Sequence, residues 1–203
     1  MNTQFFKHVV FVTDFFAPHL GGLETVFFHL TKNLVDKGYR VTVLTSQFDP
    51  LLPDHEMMHG VEIVRWGSGR FSFMIETFWR GYTYFKQADI IHTTTCLSIY
   101  PAWFWARWFD KIALITVHEV YGQLWKKLHG RWVGSLYMFV ERVSFLLPFD
   151  MYHCVSRYTK NCLRTLYGID DAKMLTIYNG VDHEFWNTQR LDPIKITTIR
   201  QTL

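Results

Sequence analysis

Short apolar, β-rich runs alternate with amphipathic helical windows along most of this chain, and that alternation constrains its fold more than any other feature. Val9-Val10-Phe11-Val12-Thr13 is continuous rather than alternating, as a strand buried on both sheet faces should be. After a loop through Pro18, Gly21 and Gly22, the window Leu23 to Lys37 sets Val26, Phe27, Leu30, Leu34 and Val35 on one helical stripe, and Gly38 closes it. Further strands are expected at Tyr39 to Thr45, Gly60 to Trp66, Ala88 to Thr93, Ile112 to Val117, Asp150 to Val155 and Lys173 to Tyr178. Helices are expected at Phe71 to Gln87, Ile99 to Phe109, Trp132 to Leu147 (ended by Pro148) and Arg157 to Tyr167. Such a succession predicts an α/β fold: a mostly parallel, Rossmann-like sheet with helices on both faces and right-handed crossovers.

The 203 residues, with 49% hydrophobic and 19% charged side chains, suffice to pack one large α/β domain, and carry no signature of disorder. A net charge of +3 without a basic run argues against a nucleic-acid partner. Lys126, Lys127 and Arg131 form a local cluster that fits a solvated helix face first and an anionic surface second. Cys96, Cys154 and Cys162 are odd in number and include no CxxC, so neither a disulfide framework nor a zinc module is expected. They fit a reducing cytosol. Asp14 interrupts the N-terminal apolar run, which therefore reads as a strand rather than a signal peptide. No run of about 18 apolar residues occurs to span a membrane. The aromatic segments Phe71 to Phe85 and Tyr100 to Phe109 suit helices packed on a sheet, with a peripheral membrane face as the second reading.

Ligands of open parallel sheets bind beyond the C-terminal strand ends, so residues on that rim carry the chemistry. The first strand runs into Asp14-Phe15-Phe16-Ala17-Pro18-His19-Leu20-Gly21-Gly22 and a helix follows at once. Gly21 and Gly22 let backbone N–H groups approach a phosphate at a helix N-terminus; a plain strand-to-helix turn is the competing reading. Glu24, in the first helical turn, suits either the helix dipole or a sugar hydroxyl. His118 ends its strand in Thr116-Val117-His118-Glu119, where it can meet a substrate or developing charge. Asn179 opens Asn179-Gly180-Val181-Asp182 after the last strand, as a turn or as a cleft residue. His55-Glu56-Met57-Met58-His59 matches the HExxH zinc pattern, but Pro53 and Gly60 leave no room for the helix that pattern needs. It reads as a chance match in a loop.

In order, Pro18, Gly21, Gly22 and Glu24, then Asp89-Ile90-Ile91-His92, Thr116 and His118, Val155 and Ser156, and Asn179 to Asp182 resemble the N-terminal domain of the GT-B glycosyltransferases of family 4. The resemblance runs from the first strand to Asp182. It implies a retaining transferase of two Rossmann-like domains, using a nucleotide-sugar as substrate, with no cofactor and no metal. It further implies donor-diphosphate contact at Gly21 and Gly22, acceptor contact at Glu24 and Asn179, and a catalytic position for His118 beside the reacting sugar. Residues 1–182 are then the acceptor-binding domain, and 183–203 a linker and the start of a missing C-terminal donor-binding domain. The expected function is sugar transfer to a lipid-linked or glycan acceptor, with this chain inactive alone. The expected location is the cytoplasm, with the inner face of its membrane as a second site. The alternative is a non-catalytic module that binds glycan or pairs with a separate donor-binding protein. A flavodoxin-like or NAD-binding domain is disfavoured, since the first βα loop lacks either fingerprint and the second strand closes on Thr45-Ser46 without an acidic residue.

Overall fold

The computed structural model describes residues 8–181. Eight strands form one sheet: β1 (His8–Val12), β2 (Arg40–Ser46), β3 (His55–Met58), β4 (Val61–Trp66), β5 (Ile90–Thr94), β6 (Ile112–Val117), β7 (Met151–Cys154) and β8 (Met174–Thr176). Their order across the sheet is β3-β4-β2-β1-β5-β6-β7-β8, parallel throughout except for β3. The helices are α1 (Gly22–Asp36), α2 (Arg70–Arg80), α3 (Tyr82–Gln87), α4 (Ile99–Trp108), α5 (Leu124–Leu146) and α6 (Arg157–Tyr167). The chain leaves β1 in one direction and β5 in the other, so the switch point lies between these two central strands.

The alternation of side chains along β1 divides the core in two. Val9 and Phe11 join Phe27, Val41, Val43 and Ile63 beneath α1. Val10 and Val12 join Leu44, Phe73, Phe85, Ala102, Ile115 and Phe145 on the opposite face. The aromatic windows are absorbed there in part: Phe73 and Phe85 are buried and Trp103 and Trp105 pack against the same cluster, whereas Phe71, Trp79, Tyr82, Phe104 and Trp108 are exposed.

Three expected elements differ. The helix expected over 71–87 is two helices, α2 and α3, meeting at Gly81. A side chain at Gly81 would collide with the Phe85 ring and the Thr77 carbonyl, so glycine is what lets the backbone turn so closely. The helix expected from Trp132 is present after Gly130 (φ 77°, ψ 172°), where the backbone leaves helical geometry, and a short helical segment opening at Leu124 precedes it. The segment expected to be a loop contains β3, antiparallel to β4, with His55 opposite Val64 and Met58 opposite Val61. His59 (φ 51°) and Gly60 (φ 78°) supply the two positive-φ positions that a tight hairpin turn requires. Buried Arg65 fastens this edge strand through Glu56 at 2.6 Å. An extended strand cannot place His55 and His59 as a helix would, and His55 instead meets Glu62 at 3.1 Å. The last strand is also shorter than expected, with Asp171–Lys173 forming a 3₁₀ turn before it. Residues 183–203, expected to be a linker, and Asp182 lie outside the described residues.

Candidate functional site

The β1–α1 loop brings the glycine pair to the rim. Gly21 is the N-cap of α1 and Gly22 its first residue, and no side chain caps that N-terminus. Its first N–H groups, together with the positive end of the helix dipole, are therefore free to meet an anion. Open space faces Gly22, where an added Cβ would touch nothing within 4 Å. Gly21 differs: a Cβ there would collide with the carboxylate of Glu24, which folds back over it. His19 Nδ1 lies 3.3 Å from Glu24 Oε1, and the His19 ring stacks on Phe15 with centroids 4.5 Å apart. Glu24 thus lies over the glycine pair, and an anion approaching that N-terminus must bind alongside it or move it.

His118 follows β6 and lies on the same rim. Its carbonyl accepts a hydrogen bond from Thr159 Oγ1 at 3.4 Å, which ties the strand end to α6. Its Nε2 is buried and has no hydrogen-bond partner among the described residues. Burial, then the nearby His153, push the His118 pKa below the usual imidazole range, and the charge of Glu24 opposes them. Near neutral pH the ring is therefore uncharged, with one unengaged nitrogen. Such a group can hydrogen-bond a sugar hydroxyl or polarise a reacting oxygen.

Behind His118 runs a hydrogen-bonded row across three strands. His92 Nε2 lies 2.7 Å from Thr116 Oγ1, and Thr116 Oγ1 lies 3.0 Å from His153 Nδ1. His153 Nε2 lies 3.0 Å from the Ile177 carbonyl. A carbonyl only accepts, so for neutral rings the order is fixed: His153 Nε2–H donates to Ile177, Thr116 donates to His153 Nδ1, and His92 Nε2–H donates to Thr116. Burial and the charge of His153 hold the His92 pKa down at about 3. This row pins the segment after β8 to the centre of the sheet. Asn179, two residues further, is exposed and has no hydrogen-bond partner among the described residues. The charge of Glu24 reaches the His118 ring, so these two and the glycine pair share one part of the rim.

Sequence reasoning misses Asp14 at the switch point. Its buried carboxylate accepts from the Ser98 N–H at 3.1 Å and faces Arg70 Nε at 3.5 Å, while Arg70 lies over the Phe15 ring. Burial raises the Asp14 pKa, opposed by the Ser98 hydrogen bond and by Arg70. The signal for it is a charge breaking the first apolar run. A second feature, legible only in three dimensions, is a cavity of about 560 Å³ beyond β2 and β4, lined in part by Gln47, Arg65, Glu76 and Arg80. Among the described residues no three His, Cys, Asp or Glu side chains converge as a metal site.

With this rim in place, comparison with known proteins decides its family. The profile of Glycosyltransferase Family 4 matches residues 20–185. The chain belongs to that family. Among curated relatives of this family-4 chain, the phosphatidylinositol N-acetylglucosaminyltransferase GPI3 subunit of Saccharomyces cerevisiae (strain YJM789) is 25% identical over 205 residues, covering 96% of this chain and 43% of that protein. A phosphatidylinositol N-acetylglucosaminyltransferase subunit of Arabidopsis thaliana is 25% identical over 195 residues, covering 91% of this chain and 42% of that protein. The family-4 chain thus spans less than half the length of either relative. Among solved structures, a sucrose-phosphate synthase from Thermosynechococcus elongatus superposes with a TM-score of 0.75 at 17% identity, over 97% of this chain and 53% of that one. Anabaena HepE in complex with UDP-glucose superposes with a TM-score of 0.62 at 15% identity, over 96% of this chain and 49% of that one. The fold is the Rossmann-like half of a GT-B glycosyltransferase.

Proposed function

We propose that this chain is the acceptor-side domain of a retaining glycosyltransferase that moves N-acetylglucosamine from a nucleotide-sugar to a phosphatidylinositol-type lipid at the cytoplasmic face of a membrane. One observation carries the reading: the open, uncapped N-terminus of α1 at Gly22 shares its rim with the buried, unpartnered Nε2 of His118. The first suits a leaving diphosphate, whose growing charge the helix N-terminus stabilises. The second suits a hydroxyl of the sugar or of the acceptor, held in line for transfer. The sugar and the lipid come from what the relatives' names state of those proteins.

The side chains seen against the glycine loop are Glu24 and His19, which bring no permanent cation to a diphosphate. Turnover is therefore proposed to need a second, donor-binding domain, in the same chain or in a partner protein, and the 203 residues alone to be inactive. The test is transfer of labelled sugar from a panel of UDP- and GDP-sugars to phosphatidylinositol vesicles. It is run with the 203-residue chain and with a complete protein that contains it. The expected result is transfer of N-acetylglucosamine by the complete protein only. Activity in the short chain would overturn the need for a second domain, and a different sugar or an acceptor without lipid would overturn the substrate assignment.

A further inference from the structure

The helix α5 carries apolar side chains on two opposite faces. After the bend at Gly130, Gly134, Met138, Glu141 and Phe145 recur at helical spacing and face the domain, where Gly134 and Phe145 are buried. Trp132, Leu136 and Phe139 repeat the same spacing half a turn away. These point outward, at 85%, 59% and 63% exposure, and Leu128 before the bend is 62% exposed. A helix that is apolar on both faces is half-partnered, and a contiguous exposed patch of this kind marks a contact surface. The segment before the bend lies against the inward side of the helix: a side chain at Gly134 would collide with the backbone of Lys126, and Tyr137 packs on Trp125 and His129. The segments before and after Gly130 are therefore laid against each other.

Charge says what the surface meets. Lys126, Lys127, Arg131 and Arg142 lie along α5. Arg131 and Arg142 are eleven residues apart, which puts them on one flank of the outward stripe. The helix's acid, Glu141, is used inward: it accepts from Tyr121 N at 2.9 Å, Gly122 N at 2.8 Å and Trp125 Nε1 at 2.9 Å, and from the Tyr167 hydroxyl. What α5 shows to solvent is apolar and cationic, with no opposing carboxylate of its own. A second copy of the chain would juxtapose like charges across such a patch, whereas an anionic bilayer matches both properties.

We propose that the outer face of α5 docks on an anionic lipid bilayer, with Trp132, Leu136 and Phe139 entering the headgroup layer and Arg131 and Arg142 on its flank meeting the lipid phosphates. The face proposed lies outside the aromatic windows at 71–85 and 100–109. It deepens the reading of a membrane-borne acceptor but rests on that reading only for its purpose, because docking needs neither donor nor transfer.

The experiment is flotation of the 203-residue chain with phosphatidylcholine vesicles, with and without phosphatidylserine, alongside sedimentation velocity without lipid. The expected result is a monomer that floats with the phosphatidylserine vesicles and is released by salt. W132E/L136E should abolish flotation. R131E/R142E should weaken it by at least roughly 25-fold, about fivefold for each cation removed. Both pairs are exposed, so circular-dichroism melts should match the parent chain. Absence of flotation would overturn the proposal, as would flotation indifferent to both variants. A dimer without lipid that W132E/L136E dissolves would also overturn it, assigning the face to a second copy. Failure here alongside sugar transfer by the complete protein would leave the transferase reading standing, and the reverse result would leave the docking face standing.

Discussion

The sheet face that carries α1 is two different surfaces. Over β4, β2 and β1 it is dry and sealed: Val9, Phe11, Val41, Val43 and Ile63 are buried against Phe27 of α1. Among the described residues, the same face over β6, β7 and β8 is polar in the middle and open at the margin. There Thr116 and His153 continue the row from His92, and Ile112, Met151, Leu175 and Ile177 are exposed. Strand spacing and hydrogen bonding are alike on both sides, so the difference is one of covering alone. The sealed half fixes the glycine loop by anchoring α1. Beside the open half stands His118, whose buried Nε2 has no partner among the described residues. The proposed transfer site thus falls at the seam between a rigid half and an accessible one.

The comparison breaks first in the sealed half. Phe27→Ala should cost about 3–5 kcal/mol, because the cavity it leaves cannot collapse beneath a packed helix. Urea unfolding measures this, and a loss below about 1 kcal/mol would mean that α1 is not clamped as described. Acid should act next. His92 stays neutral when folded, with its pKa near 3, whereas the unfolded ring titrates near 6.5. As the pH falls below about 6.5 the unfolded chain gains a proton that the fold refuses, and stability drops by on the order of 3 kcal/mol by pH 4. The lowered pKa values of His118 and His8 act in the same direction. Asp14 acts oppositely, since its raised pKa withdraws stability as the pH climbs past 3.8. His92→Gln should flatten the slope between pH 6.5 and 4, and an unchanged slope would assign the acid sensitivity elsewhere.

In a two-domain transferase of the kind proposed, His118→Ala should lower turnover about 100-fold, near 2.7 kcal/mol of barrier, while leaving the unfolding midpoint in place. Wild-type turnover would remove His118 from the site. Thr116→Val interrupts the His92–Thr116–His153 row and leaves two imidazoles without their shared partner, at a cost of about 1–3 kcal/mol. Amide hydrogen exchange at Ile177 should rise in the same variant, and an unaltered rate would show that the row does not hold the segment after β8. Smallest of all, Leu175→Ser on the open half should change stability by under about 0.5 kcal/mol. A loss like that of Phe27→Ala would mean that the open half is covered after all.

Much of this is legible in the residues. Continuous apolar strands separated by helical stripes specify a parallel sheet, and the order of the rim motifs places Gly21, Gly22, Glu24 and His118 at its C-terminal edge. Other signals are present but easily missed: His59-Gly60 is a hairpin turn in plain view, and Asp14 is a charge at the end of a buried strand. Asn179 joins the site on motif order alone, and its exposed position gives that grouping no support.

Sequence by itself determined the layers, the crossovers and the family, because periodicity and turn residues act locally and every segment carries its own record of them. Tertiary structure alone decided three things. It set Glu24 over Gly21 rather than beside it, joined His92, Thr116 and His153 into one row, and turned the second apolar stripe of α5 outward. Each depends on which residues distant in the chain share a surface. A strand or helix states that it has an apolar face, but only packing settles what that face meets.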